Sequence, residues 1–200
     1  MMSNRKALLL PVLAFSIAAC AGKDAATSDS AAAANATMSM DTAAPAMAMT
    51  LTDPNIVYIV SQANAGEVGR GDLAATKGTN ADVVAFGKMV SGEHKAIQAE
   101  AEALAGKLGV TAMMPTGDMS ESDMKMEMDA LNAAAKGAAF DKAYIDYEVT
   151  YHRGLLETTN KAIAATQNAE LKALLEKAAP VVQKHIDRAV EIQGKLGGAM

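Results

Sequence analysis

The run FDKAYIDYEVTYHRGLL, Phe140 to Leu156, places a charged and titratable pair inside an apolar helical stripe. Laid on a helix, Phe140, Tyr144, Glu148, Tyr151, His152 and Leu155 share one broad face. Glu148 and His152 are four residues apart, so their side chains are neighbours on that face. An inward stripe buries its members. A buried carboxylate and imidazole need partners, because desolvating them unpaired is costly. The rest of the chain must therefore bring polar groups to meet this pair.

The first nineteen residues have a different character. Arg5 and Lys6 precede an apolar run, Ala7 to Ala19, that ends in small residues. This is the pattern of a secretory signal peptide, and it is too short for a membrane span. The sole cysteine, Cys20, closes Ile17-Ala18-Ala19-Cys20, which resembles the bacterial lipobox. The resemblance implies a lipidated Cys20 as the mature N-terminus, with the membrane reached through that anchor. Several acyl chains would hold it, since one binds only marginally. Ala21 rather than Asp at the next position implies the outer membrane and a periplasm-facing protein.

Of 18 Lys/Arg, Arg5 and Lys6 leave with residues 1–19, so 16 remain against 23 Asp/Glu. That balance, with no basic patch, argues against a nucleic-acid partner. Residues 20–52 are the lipidation site and a tether of Ala, Ser, Thr, Asp and Met with too little bulk to fold. A flexible coil of that length spans roughly 30 Å. Residues 53–200 remain as the folded domain.

Periodicity in that domain is helical throughout, with no strand-like alternation. A first helix is expected from Asp53 as N-cap and Pro54 at N1 to Lys77-Gly78, carrying Ile56, Val60, Ala63, Glu67 and Ala74 inward. Gly66 and Gly69 flank Glu67 and suggest close helix approach. A second follows a short turn capped by Thr79 or Asn80, with His94 central in its stripe and Glu93 at the edge, and ends at Gly109. Ser120 to Lys136 reads as a shorter Met-rich helix, and about Ala139 to Ala165 as the third long one. Asn168 caps the fourth, whose stripe includes His185 and whose interior Pro180 predicts a kink. These elements make an all-α four-helix bundle with a short extra helix in the crossover between the second and third long helices.

The three histidines stand one each on the second, third and fourth long helices, and Glu67 supplies a carboxylate from the first. If their levels coincide, Glu67, His94, Glu148, His152 and His185 converge on one transition-metal site, and imidazole with carboxylate suits Zn, Fe, Mn or Cu. The competing account is a structural hydrogen-bond network in which Tyr144, Tyr147 and Tyr151 are the partners. If all three histidines are buried and neutral, acid below about pH 6 destabilises the fold. The Glu-x-x-His pattern of di-iron bundles is missing, as are nucleophile motifs and phosphate loops, so an enzyme ranks last. Fourteen methionines include Met38-Ser-Met40, Met47-Ala-Met49 and Met124-Lys-Met126-Glu-Met128, a composition compatible with Cu(I) handling or with plain gap-filling.

The segments GEVGRGDLAATKGTNADVVAFGKMVSGEHKAIQAEAEALAGKLG, AAFDKAYIDYEVTYHRGLL and LKALLEKAAPVVQKHIDRA resemble the bacterial domain of unknown function 4142, over about residues 53–195. The matching positions are Glu67, Glu93-His94 for an Asp-His pair, Phe140, Asp141 and Tyr144, His152, and Ala179-Pro180 followed by His185. Glu for Asp at 93 and Ala for Leu at 179 depart mildly from the pattern. The resemblance implies an exported, ferritin-like helical bundle of the outer membrane. It implies no reaction, because fold alone does not carry one.

Overall fold

The computed structural model describes residues 51–198. Among them lie five helices and no strand: α1 (Asp53–Lys77), α2 (Ala81–Leu108), α3 (Ser120–Ala133), α4 (Ala138–Ala165) and α5 (Ala169–Gly197). Three-residue connections join α1 to α2 and α4 to α5, and such short links make antiparallel neighbours. Each hairpin packs most extensively on itself, and the two meet along α2 with α5 and α1 with α4. The short α3 lies in the α2–α4 crossover, as the spacing predicts, and it touches α1 and α4. The expected signal peptide, Cys20 and nearly all of the expected tether lie outside the described residues.

The helix ends follow side-chain chemistry, with two differences from expectation. Thr52, not Asp53, is the N-cap of α1, in a capping box with Asn55. The Asp53 carboxylate instead accepts from Thr166 Oγ1 at 2.7 Å, tying the start of α1 to the end of α4. Helix α3 stops at Ala133 rather than Lys136. Lys77 Nζ donates to the carbonyls of Leu131 (2.8 Å) and Asn132 (2.6 Å), satisfying acceptors that a longer α3 would have used itself. Asn80 caps α2 and Asn168 caps α5, while Gly109 ends α2 at φ 62°. Pro180 lies within α5, which continues past it. The buried Asp141 carboxylate accepts from Thr79 N, Thr79 Oγ1 and Asn80 N, locking the α1–α2 turn onto α4.

Close approach of α1 and α2 depends on Gly71 and Gly87, not on Gly66 and Gly69. A Cβ at Gly71 would meet the Gly87 carbonyl at 2.6 Å, and one at Gly87 would meet the Gly71 carbonyl at 2.8 Å. Gly69 faces open space, and Gly66 abuts Arg70 and Met124.

Two apolar layers fill the bundle. One gathers Phe86, Val90, Tyr144, Ile145, Val149 and Ile192, and the other Ile56, Ala162, Leu171 and Leu175. Along α1, Glu67 falls between Ile56 of one layer and Ala74 of the other. His152 falls between Val149 and Ala162 on α4, and His185 between Leu175 and Ala189 on α5. A polar layer is thus enclosed between two apolar ones.

Candidate metal centre

All five expected residues reach this layer. Glu67, Glu148, His152 and His185 are fully buried, and His94 is 2% exposed. Their levels coincide. One ring nitrogen from each of His94, His152 and His185 lies within 4.8 Å of the others, and the same holds for ligand atoms of Glu67, Glu148 and His152.

The outer nitrogen of each ring faces an acceptor. Asn64 Nδ2 donates to the Val60 carbonyl at 2.8 Å, so its oxygen turns to His94 Nδ1 at 2.7 Å. His152 Nδ1 meets the Glu148 carbonyl at 3.0 Å. His185 Nε2 meets Glu93 Oε2 at 2.9 Å, and Lys184 holds the other Glu93 oxygen. An amide oxygen, a carbonyl and a carboxylate only accept, so all three outer nitrogens carry hydrogen, a tautomer assigned from the network.

The inner nitrogens then present lone pairs: Nε2 of His94, Nε2 of His152 and Nδ1 of His185. His152 Nε2 lies 3.2 Å from His185 Nδ1 and 3.6 Å from Glu67 Oε1. Among the described residues, His94 Nε2, Glu67 Oε2 and Glu148 Oε2 are buried without a hydrogen-bond partner. Glu148 Oε2 is 3.1 Å from His152 Nδ1, but that nitrogen points its hydrogen at the backbone carbonyl. Facing lone pairs beside free carboxylate oxygens call for a cation between them, either a proton or a metal ion.

Electrostatics match that geometry. Burial pushes His94 down to about 4, against the pull of Glu67 and with added repulsion from His185 and His152. His185 is also lowered, first by burial and then by His152. Burial acts the same way on His152, but Glu67 and Glu148 outweigh it and raise the ring to about 8. Only two of the three histidines therefore behave as the sequence expectation required; His152 goes the other way because two carboxylates face it. Burial raises Glu148, yet Arg70 and His152 bring it below the ordinary range.

Arg70 is the residue that sequence reading missed. It is 1% exposed, with Nη2 at 2.8 Å from Glu67 Oε1 and Nε at 3.2 Å from Glu148 Oε1. Its guanidinium carbon sits 4.1 Å from the Tyr151 ring centroid and 4.9 Å from that of Tyr147. The signal was available: Asn64, Glu67 and Arg70 are three apart on one helix face. The tyrosines are not the histidines' partners. Tyr147 and Tyr151 flank Arg70, and the Tyr144 hydroxyl has no partner among the described residues. Arg70, Tyr147 and Tyr151 also line a cavity of about 810 Å³ between α1, α3 and α4, as does Met124. Met113, Met114, Met119 and Met126 are exposed, and Met38, Met40, Met47 and Met49 lie outside the described residues.

The donor set could hold a metal ion. Two nitrogens each bound to zinc at 2.0–2.1 Å with tetrahedral angles stand about 3.3 Å apart, close to the His152–His185 spacing of 3.2 Å. Outer N–H groups held by a carbonyl, an amide and a carboxylate are what orients histidine ligands.

A family model described as "Domain of unknown function (DUF4142)" matches residues 36–192. No curated protein matches the chain, and no solved structure matches it.

Proposed function

The chain belongs to the DUF4142 family, and from the buried polar layer of its bundle we propose that it binds one transition-metal ion through His94, His152 and His185 with Glu67. The observation that carries this is the set of inner lone pairs, fixed by three outer acceptors and facing unpartnered carboxylate oxygens. Imidazole with one carboxylate suits Zn, Fe, Mn or Cu. Binding and holding the ion is the role inferred; no reaction is assigned to it.

The setting proposed is the cell envelope, with Cys20 lipidated and the bundle facing the periplasm on its tether. Support comes from Arg5, Lys6, the apolar run after them and the lipobox-like Ile17–Cys20. Among the described residues no helix is long and apolar enough to cross a membrane. Nucleic acid is not a proposed partner, given 16 basic against 23 acidic side chains beyond residue 19.

A second reading keeps the cluster as a structural network. It is favoured by the existing His152–His185 and His185–Glu93 contacts, with a proton on His152 as the cation.

Elemental analysis of the full chain, purified without a histidine tag, separates the two. The expected result is one metal per chain, and none in the variant with His94, His152 and His185 all changed to Ala. Metal absent from the parent, even after dialysis against Zn, Mn, Fe and Cu salts, overturns the metal reading and leaves the network.

A further inference from the structure

We infer that the Arg70 guanidinium occupies a second cation position in the polar layer, so that the cluster accepts one metal ion and not two. The inference rests on the metal reading above and adds its stoichiometry.

Two ligand groups share His152: the three histidines, and Glu67 with Glu148. A paired site would put one ion among the imidazoles and another between the carboxylates, as two-metal centres do at about 3.5–4 Å. Arg70 already bridges those carboxylates, with one nitrogen on Oε1 of each. Its place is set from both sides. The α1 backbone presents it three residues after Glu67, and the rings of Tyr147 and Tyr151 flank it. A planar guanidinium with fixed donor directions suits such stacking and bridging, where a lysine ammonium is a strongly hydrated point charge.

Charge supports the same division. By formal charge, two buried carboxylates and one guanidinium leave a single negative charge. That suits one divalent ion, whereas a second would bring two more positive charges beside a buried Arg70. The remaining oxygens, Glu67 Oε2 and Glu148 Oε2, have no hydrogen-bond partner among the described residues. With Arg70 removed, Glu67 Oε1 and both Glu148 oxygens become available to an oxygen-preferring ion such as Mn²⁺, while Glu67 Oε2 stays with the histidines. The cavity of about 810 Å³ that Arg70 lines offers such an ion a route from solvent.

The test counts ions per chain after dialysis of the full chain against Mn²⁺ or Zn²⁺, in the parent, Arg70→Lys and Arg70→Met. Expected are one ion in the parent, one in Arg70→Lys, and two in Arg70→Met with Mn²⁺. One ion in both the parent and Arg70→Met overturns the inference and leaves the metal reading standing. Two ions in the parent also overturn it. None in the parent removes the metal reading itself. Arg70→Met exposes two uncompensated buried carboxylates, so its folding is read by circular dichroism with and without Mn²⁺. Helicity that Mn²⁺ restores supports the inference; a variant unfolded in both conditions shows that no ion replaces the guanidinium and overturns it.

Discussion

His152 Nε2 stands 3.2 Å from His185 Nδ1, and while both rings are neutral neither nitrogen has a hydrogen to place between them. Each ring donates its hydrogen outward, to the Glu148 carbonyl and to Glu93. Two lone pairs at that distance repel unless a cation separates them. The cluster is therefore built for a charge it must acquire, and the raised proton affinity of His152 is the metal-free answer to that demand.

Stability of the chelator-treated protein should pass through a maximum near pH 6.5–7. His94, pulled down to about 4, and His185, also lowered, bind fewer protons folded than unfolded, so stability falls as pH drops below 6.5. Glu148, held low by Arg70 and His152 against burial, acts in the same direction at more acid pH. His152 is the opposite case. Its raised value of about 8 adds stability that is complete below 6.5 and lost as pH rises through 8, on the order of 2 kcal/mol. Thermal melts from pH 5 to pH 9 check this, and a melting temperature that rises steadily across pH 6.5–8 contradicts the His152 assignment.

Glu93→Gln should weaken metal binding without removing an ion ligand. The variant keeps an amide oxygen to accept from His185 Nε2–H but takes away the carboxylate that orients the ring and strengthens the lone pair on Nδ1. Losses of roughly 10–100-fold in affinity are usual for such outer partners. Competition titration against a chromophoric zinc chelator gives the number, and equal affinities for parent and variant would contradict the orientation of His185.

Gly71→Ala and Gly69→Ala should differ in sign. The added methyl at Gly71 meets the Gly87 carbonyl at 2.6 Å and Ser91 at 2.9 Å, forcing α1 away from α2. A loss of about 1–3 kcal/mol is expected from such overpacking. At Gly69 nothing lies within 4 Å, so the better helix propensity of alanine should add up to about 1 kcal/mol. Urea denaturation of both variants is the check.

Cys20→Ser in the full chain should abolish lipid labelling and move the protein out of the membrane fraction. Radiolabelled palmitate incorporation and fractionation are the measurements. Unchanged membrane association would separate this protein from the lipobox reading.

Helix number, the limits of α2 and α5 and the inward position of the candidate ligands are legible in the linear chain. Hydrophobic periodicity, caps such as Asn80 and Asn168, and the glycine at 109 are local signals, and backbone geometry converts them directly into helices. The same periodicity assigns Glu67, His94, Glu148, His152 and His185 to buried stripes, because a stripe faces a core whatever lies across from it. Thr52 took the cap expected of Asp53 because Asp53 has a distant partner in Thr166, which no local rule contains.

The common level of the five side chains was decided in three dimensions. Periodicity specifies which face of a helix is inward, but the axial register between helices depends on contacts such as Gly71 against Gly87 and Asp141 against the α1–α2 turn. The capture of both glutamates by Arg70 belongs to the same class, since Glu148 is 78 residues away in the chain. So do the tautomers of His94 and His185, which Asn64 and Glu93 impose across packed surfaces, whereas that of His152 is set within α4 by the Glu148 carbonyl. A sequence encodes local periodicity residue by residue. Register, charge pairing and proton placement arise only when separate helices are brought within a few ångströms, where desolvation makes each partner obligatory.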